Sequence, residues 1–114
     1  LVTVLSGSVI DIILDIRKNS PTFGKSLFIK LDDTNNNQLF VPRGFAHGFI
    51  ALRDSTIISY KVDNLYSKKH ERAINVEDPT LNIDFKNINV NKKDLEAPNL
   101  NESYNFDYNL NYYD

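Results

Sequence analysis

Residues 9–17 alternate along the chain. Ile10, Ile12, Leu14 and Ile16 fall on one face, and Asp11, Ile13, Asp15 and Arg17 on the other. A period of two marks a β-strand, and the mixed second face predicts a half-buried one. Upstream, residues 1–5 form a short β-branched run, and Ser6-Gly7-Ser8 supplies the turn of a hairpin. Asn19 to Gly24 breaks the pattern with Pro and Gly. Residues 26–31 predict a third strand, with Leu27, Ile29 and Leu31 on one face. After a polar loop over 32–37, residues 38–41 predict a fourth strand, and Ile50-Ala51-Leu52 leaves the turn that follows it.

Residues 56–62 are rich in β-branched side chains and predict another strand. Residues 63–72 are polar. Residues 73–76 predict a brief strand, Asp78-Pro79 a turn, and Ile83-Asp84-Phe85 a last pairing. Residues 91–97 predict one or two helical turns with Asn91 as cap and Pro98 as stop. Residues 99–114 are rich in Asn, Tyr and Asp without periodicity, which predicts a poorly ordered tail. Short strands separated by turn signals mean an all-β sandwich or barrel.

Composition narrows the function classes. A chain of 114 residues is at most one domain, here residues 1–100 with a polar tail over 101–114. A formal net charge of -2 gives no electrostatic bias toward nucleic acid or an acidic membrane. The absence of Cys removes disulfides and thiolate metal sites. No apolar run approaches the roughly 18 residues of a membrane helix, and no signal peptide leads the chain. A cytoplasmic protein is the expectation. The chain starts at Leu1, already inside a strand, which reads as a fragment lacking an upstream portion.

The candidate chemistry centres on Pro42-Arg43-Gly44-Phe45-Ala46-His47-Gly48-Phe49. Pro42 and Gly44 punctuate a turn that delivers His47 onto the start of the next strand, where it can face a barrel mouth. On its own, a His after a turn is more often a hydrogen-bonded loop residue. A metal site needs partners, and no His precedes His47 while His70 lies in a distant polar loop, so no metal is expected. Tyr60 shares a face with Ile58. It reads either as a core aromatic or as a proton donor, reluctant because a phenol ordinarily titrates near 10. Asp94 beside Lys93 reads as a solvated helix-start charge or as a carboxylate orienting an imidazole. Lys68-Lys69 reads as solvated, and Arg17-Lys18 as a strand end in water. There is no phosphate loop, dinucleotide fingerprint or Ser elbow, so no cofactor is expected.

Pro-x-Gly-x-x-His is the core of the second cupin motif, and the longer octapeptide resembles the dTDP-4-dehydrorhamnose 3,5-epimerase family of metal-free cupins. The likeness extends along the chain. Ser6-Gly7-Ser8-Val9-Ile10-Asp11 resembles the family's hairpin, and Asp15 to Lys25 its Asp-Leu/Ile-Arg…Ser-Pro-Thr-Phe-Gly block. Gln38-Leu39-Phe40-Val41-Pro42, Tyr60-Lys61 with Tyr66, His70-Glu71-Arg72, Asp78-Pro79, Lys93-Asp94 and Ala97-Pro98 are similar to later family segments in order and spacing.

The resemblance implies a cupin-type double-stranded β-helix, or jelly roll. It implies epimerisation at C3 and C5 of a dTDP-linked 4-keto-sugar without cofactor. A His base removes each proton next to the C4 ketone, and a Tyr on the opposite face returns one. That Tyr corresponds to Tyr60, and the Asp that orients the base to Asp94. His47 corresponds to a pocket-lining His, Tyr66 to a Tyr near the nucleotide, and Lys93 to a substrate-side Lys. The base itself and an enolate-steadying Lys lie in a segment upstream of Leu1, so the fragment is expected to be inactive alone. Family members are homodimers that exchange N-terminal strands. This chain departs from the family at Ser26, at Asn75-Val76 and at Leu65, where aromatics are frequent. The alternatives are an epimerase of C3 or C5 only, a non-catalytic sugar-nucleotide-binding cupin, and, weakest, a metal-dependent cupin.

Overall fold

The computed structural model describes residues 1–84 and 88–114. A turn at Gly7 joins β1 (Val2–Ser6) to β2 (Ser8–Asp15), but the hairpin expected there does not form: the chain crosses from one sheet to the other, and each strand pairs with later partners instead. Gly7 makes the turn at φ +93, and a Cβ there would lie 2.4 Å from Thr56 Oγ1. Only a glycine lets this turn pass that close to the later connection.

β2 is the centre of one sheet. It pairs antiparallel with β4 (Ser26–Asp32) on one side and with β6 (Phe45–Ala51) on the other. β1 is the centre of a second sheet, between β5 (Gln38–Leu39) and β7 (Ile57–Tyr60). The two sheets meet through Val2 and Val4 of β1 against Val9 and Leu31, and the last two are almost wholly buried. Leu14 and Ile16 pack instead against Leu81 and Leu100 from the C-terminal segments. The all-β, two-sheet architecture expected from the pattern is therefore present.

β2 was expected to be half-buried and is buried on both faces. Asp11 and Asp15, on the polar side of its alternation, are 0% and 2% exposed. The alternation is real, but a second apolar layer and two carboxylate networks cover that face. β6 starts at Phe45, so His47 lies inside a strand rather than at its start.

Residues 73–76 form no strand. Their backbone is used elsewhere: Asn75 N–H donates to Pro98 O at 2.9 Å and Val76 N–H to Asp94 O at 3.3 Å. Pro79–Leu81 is a 3₁₀ turn, and Asp78 caps it by accepting from Thr80 N–H. Ile83 and Asp84 are not in a strand, and Phe85 lies outside the described residues. The expected helix is present as α1 (Lys92–Leu95), with the Asn91 side chain accepting from Lys93 N–H at 3.2 Å.

The tail expected to be poorly ordered folds back. Leu100–Glu102 is a 3₁₀ turn, and β8 (Phe106–Asp107) pairs in parallel with β3 (Arg17–Lys18). Phe106 N–H donates to Ile16 O at 3.0 Å, and its ring joins the cluster of Leu14 and Ile16. The segment carries no period because it contributes single aromatic anchors, not a repeating face.

Candidate functional site

The turn before β6 is seated on one arginine. Gly44 sits at φ +90, and a Cβ there would lie 2.8 Å from Arg17 Cγ. Arg17 Nε and Nη2 donate to Asp15 at 2.9 and 2.8 Å. The guanidinium stacks over Phe45 at 4.3 Å and lies 5.0 Å from the Tyr108 ring centroid. Arg17 was expected to end a strand in water; instead it ties the turn, β3 and the tail together. Burial raises the Asp15 pKa, but hydrogen bonds from Arg17, Ser20 and Thr22 outweigh it and hold the carboxyl well below the usual range.

β6 then carries His47 across β2. The register pairs Ile13 with His47 and Asp11 with Phe49, so His47 and Asp11 share a face. His47 Nε2 lies 2.9 Å from both Asp11 oxygens, and the bond geometry favours Oδ2. β7 brings Tyr60 opposite Val2, on the inward face of its sheet. The Tyr60 and His47 rings meet at 83° with centroids 6.0 Å apart. Burial, and then the Asp11 charge, push the Tyr60 phenol above its ordinary value.

His47, Tyr60, Lys93 and Asp94 all line one cavity of about 1030 Å³. Four of the five predicted site residues are thus brought together, from β6, β7 and α1. Tyr66 is not among them. It is 75% exposed and lines a smaller neighbouring pocket. Glu71 joins the two pockets: the Tyr66 hydroxyl donates to Glu71 Oε2 at 3.0 Å, and Lys93 Nζ pairs with Glu71 Oε1. Lys93 and then Tyr66 hold the Glu71 carboxyl below its usual range, and Glu71 in turn raises Lys93. Sequence reasoning missed Asp11 and the bridging part of Glu71. The signal for Asp11 was present, an acid between Val9 and Ile13 in an otherwise apolar run.

Chemically the cavity offers a phenol held in its protonated form, an imidazole bonded to a buried carboxylate, and a lysine beside a second carboxylate. That set suits proton transfer on a polar organic substrate. Among the described residues no three His, Cys, Asp or Glu gather to hold a metal ion. Among them, too, no helix is long and apolar enough to cross a membrane.

The family model described as dTDP-4-dehydrorhamnose 3,5-epimerase matches residues 1–102. The chain is 44% identical over 99 residues to the dTDP-4-dehydrorhamnose 3,5-epimerase of Shigella flexneri, covering 85% of this chain and 55% of that one. It superposes with TM-score 0.83 and 38% identity on the dTDP-6-deoxy-D-glucose-3,5-epimerase of Legionella pneumophila, solved in complex with dTDP-4-keto-L-rhamnose. That match covers 89% of this chain and 55% of the other. A 3'-monoepimerase from Streptomyces bikiniensis, solved with dTDP-quinovose, superposes at TM-score 0.82 with 27% identity over 88% of this chain and 52% of that one. The chain spans about half the length of the curated relatives it matches. The all-β fold is thus a cupin-like jelly roll.

Proposed function

The chain belongs to the dTDP-4-dehydrorhamnose 3,5-epimerase family, and we propose that the complete protein inverts C3 and C5 of dTDP-4-dehydro-6-deoxy-D-glucose to give dTDP-4-dehydro-L-rhamnose. The observation that carries this reading is the meeting of His47, Tyr60, Lys93 and Asp94 on one cavity from three separate elements. The Legionella relative, bound to dTDP-4-keto-L-rhamnose, supports the substrate class.

A base supplied by the part of the protein outside this chain takes the proton next to the C4 ketone. The electron pair moves onto the C4 oxygen as an enolate. When the carbanion collapses, the Tyr60 hydroxyl gives its proton to the opposite face of that carbon, inverting it. The phenolate regains a proton from solvent, the base releases to solvent the one it took, and the cycle repeats at the second carbon. Asp94 orients the base, His47 and Lys93 bind substrate, and Tyr66 lies toward the nucleotide. The complete protein acts as a cytoplasmic homodimer. Apolar side chains left open here support a partner surface, with Leu27 57% and Phe28 45% exposed on β4.

A second reading, inversion of one carbon only, is favoured by the likeness to the 3'-monoepimerase. The two separate in heavy water. The complete protein, incubated there with dTDP-4-keto-6-deoxyglucose, is expected to place deuterium at C3 and C5. Label at one carbon makes it a mono-epimerase. No label at either leaves a non-catalytic sugar-nucleotide binder.

A further inference from the structure

Asp11 has no part in the reaction just described, yet its carboxylate lies 2.9 Å from the cavity-lining His47. It is 0% exposed and sits in β2 between Val9 and Ile13. Burying a carboxylate costs several kcal/mol unless a partner offsets it. An aliphatic side chain at this position, among Val9, Ile13 and Ile29, would pack without that cost. Asp11 Oδ1 has no hydrogen bond among the described residues, so the group is held through Oδ2 and His47 alone.

We infer that Asp11 is a positioning residue for His47: it accepts the Nε2–H of the imidazole and leaves Nδ1 as the ring's acceptor for a hydroxyl of the bound sugar. The hydroxyl in this statement rests on the keto-sugar reading above; the tautomer does not.

The direction of the bond follows from chemistry. An ionised carboxylate has no proton to give, so at 2.9 Å the ring nitrogen is the donor. In a neutral imidazole the other nitrogen is then the acceptor. Nδ1 of His47 has no hydrogen-bond partner among the described residues, and the side chain remains 22% exposed where it lines the cavity. A sugar hydroxyl is the donor that such an acceptor selects. The same carboxylate also adds to the burial that keeps the Tyr60 phenol protonated. Asp11 therefore acts on both cavity groups without reaching the cavity itself.

The test reads the ring nitrogens directly. Long-range proton–nitrogen spectra of the complete protein, with His47 assigned by its loss in His47→Gln, are expected to show Nε2 protonated and Nδ1 bare. Asp11→Asn keeps an acceptor and is expected to retain that tautomer. Asp11→Leu removes it. There the tautomers are expected to mix, and KM for dTDP-4-keto-6-deoxyglucose to rise roughly 10–100-fold, by analogy with the loss of a carboxylate that orients a metal-ligating imidazole. A bare Nε2 in the unsubstituted protein overturns the inference, as does an unmixed tautomer in Asp11→Leu. If Asp11→Leu does not fold, the wild-type spectrum still decides. If the protein gives no exchange in heavy water, the epimerase reading falls while the spectra judge the tautomer on their own.

Discussion

The rings of His47 and Tyr60 stand almost at right angles, at 83°, with their centroids 6.0 Å apart. They arrive from different sheets, His47 on β6 beside β2 and Tyr60 on β7 beside β1. The cavity between them is therefore defined by how the two sheets face each other, and side-chain substitutions there test chemistry more than folding.

Tyr60→Phe is such a substitution. The ring and its edge-on contact remain while the hydroxyl is lost. In the complete protein, epimerisation of dTDP-4-keto-6-deoxyglucose is expected to fall about 10²–10⁴-fold, the range for losing a general acid. Base-driven exchange of the C3 and C5 protons is expected to survive in part. Full turnover in this variant would remove Tyr60 from the acid role.

The pH profile carries the same assignment. The active form of an acid is the protonated one, and burial together with the Asp11 charge pushes the Tyr60 phenol above 10.0. The alkaline limb assigned to Tyr60 is therefore expected above the ordinary phenol value, and to be absent from the residual exchange of Tyr60→Phe. Among the described residues, the other titratable groups lining this cavity are His47, His70, Glu71, Arg72 and Tyr104, with Lys93 and Asp94 from α1. Asp11 faces it from behind His47. A limb well below 10.0 that survives Tyr60→Phe belongs to one of these groups instead.

Asp15 offers a stability test. It accepts from Arg17, Ser20 and Thr22, and a buried charge pair that loses one partner leaves the other uncompensated. Asp15→Ala is expected to lower unfolding free energy by about 3 kcal/mol in urea titrations at neutral pH. The folded-state pKa is depressed, so this contribution is present in full above the ordinary value of 3.8 and fades as pH falls below it. The gap between wild type and variant should therefore narrow on acidification. A gap that widens contradicts the network.

Phe106 tests the folded tail. Its ring packs on the cluster of Leu14, Ile16, Leu81 and Leu100 and meets Tyr104 and Tyr112 edge-on. Phe106→Ala is expected to cost roughly 2–3 kcal/mol, below a full core deletion because the ring is only partly buried. Protease cleavage after the neighbouring tyrosines should speed up alongside. Unchanged stability and cleavage would return the tail to the free state its composition suggests.

Much of this was legible from residue order. The strand alternations of β2 and β4, the turn at Gly7 and the Asn91 cap are local, and local patterns record local structure; that the strands on either side of Gly7 belong to different sheets rather than to a hairpin was decided by their distant partners. The motif from Pro42 to Phe49 and the pair Lys93-Asp94 pointed at the residues that line the cavity, because their spacing is a property of the chain. The brief strand at 73–76 was not there. Short apolar runs satisfy their backbone wherever a partner stands, and here Pro98 and Asp94 supplied it.

The sequence by itself determined the period of each strand, the turns that need Gly7 and Gly44, and the side chains available for proton transfer. Only the tertiary structure decided what surrounds them. It turned Asp11 from one polar residue in an alternation into the buried partner of His47, 36 positions away. It placed Arg17 between Asp15, Phe45 and Tyr108 rather than in water. It anchored Phe106 on a core built from residues 14, 16, 81 and 100. Burial and partnership are sums over distant contacts, and a pattern with a period of two carries no record of which layer comes to cover its second face.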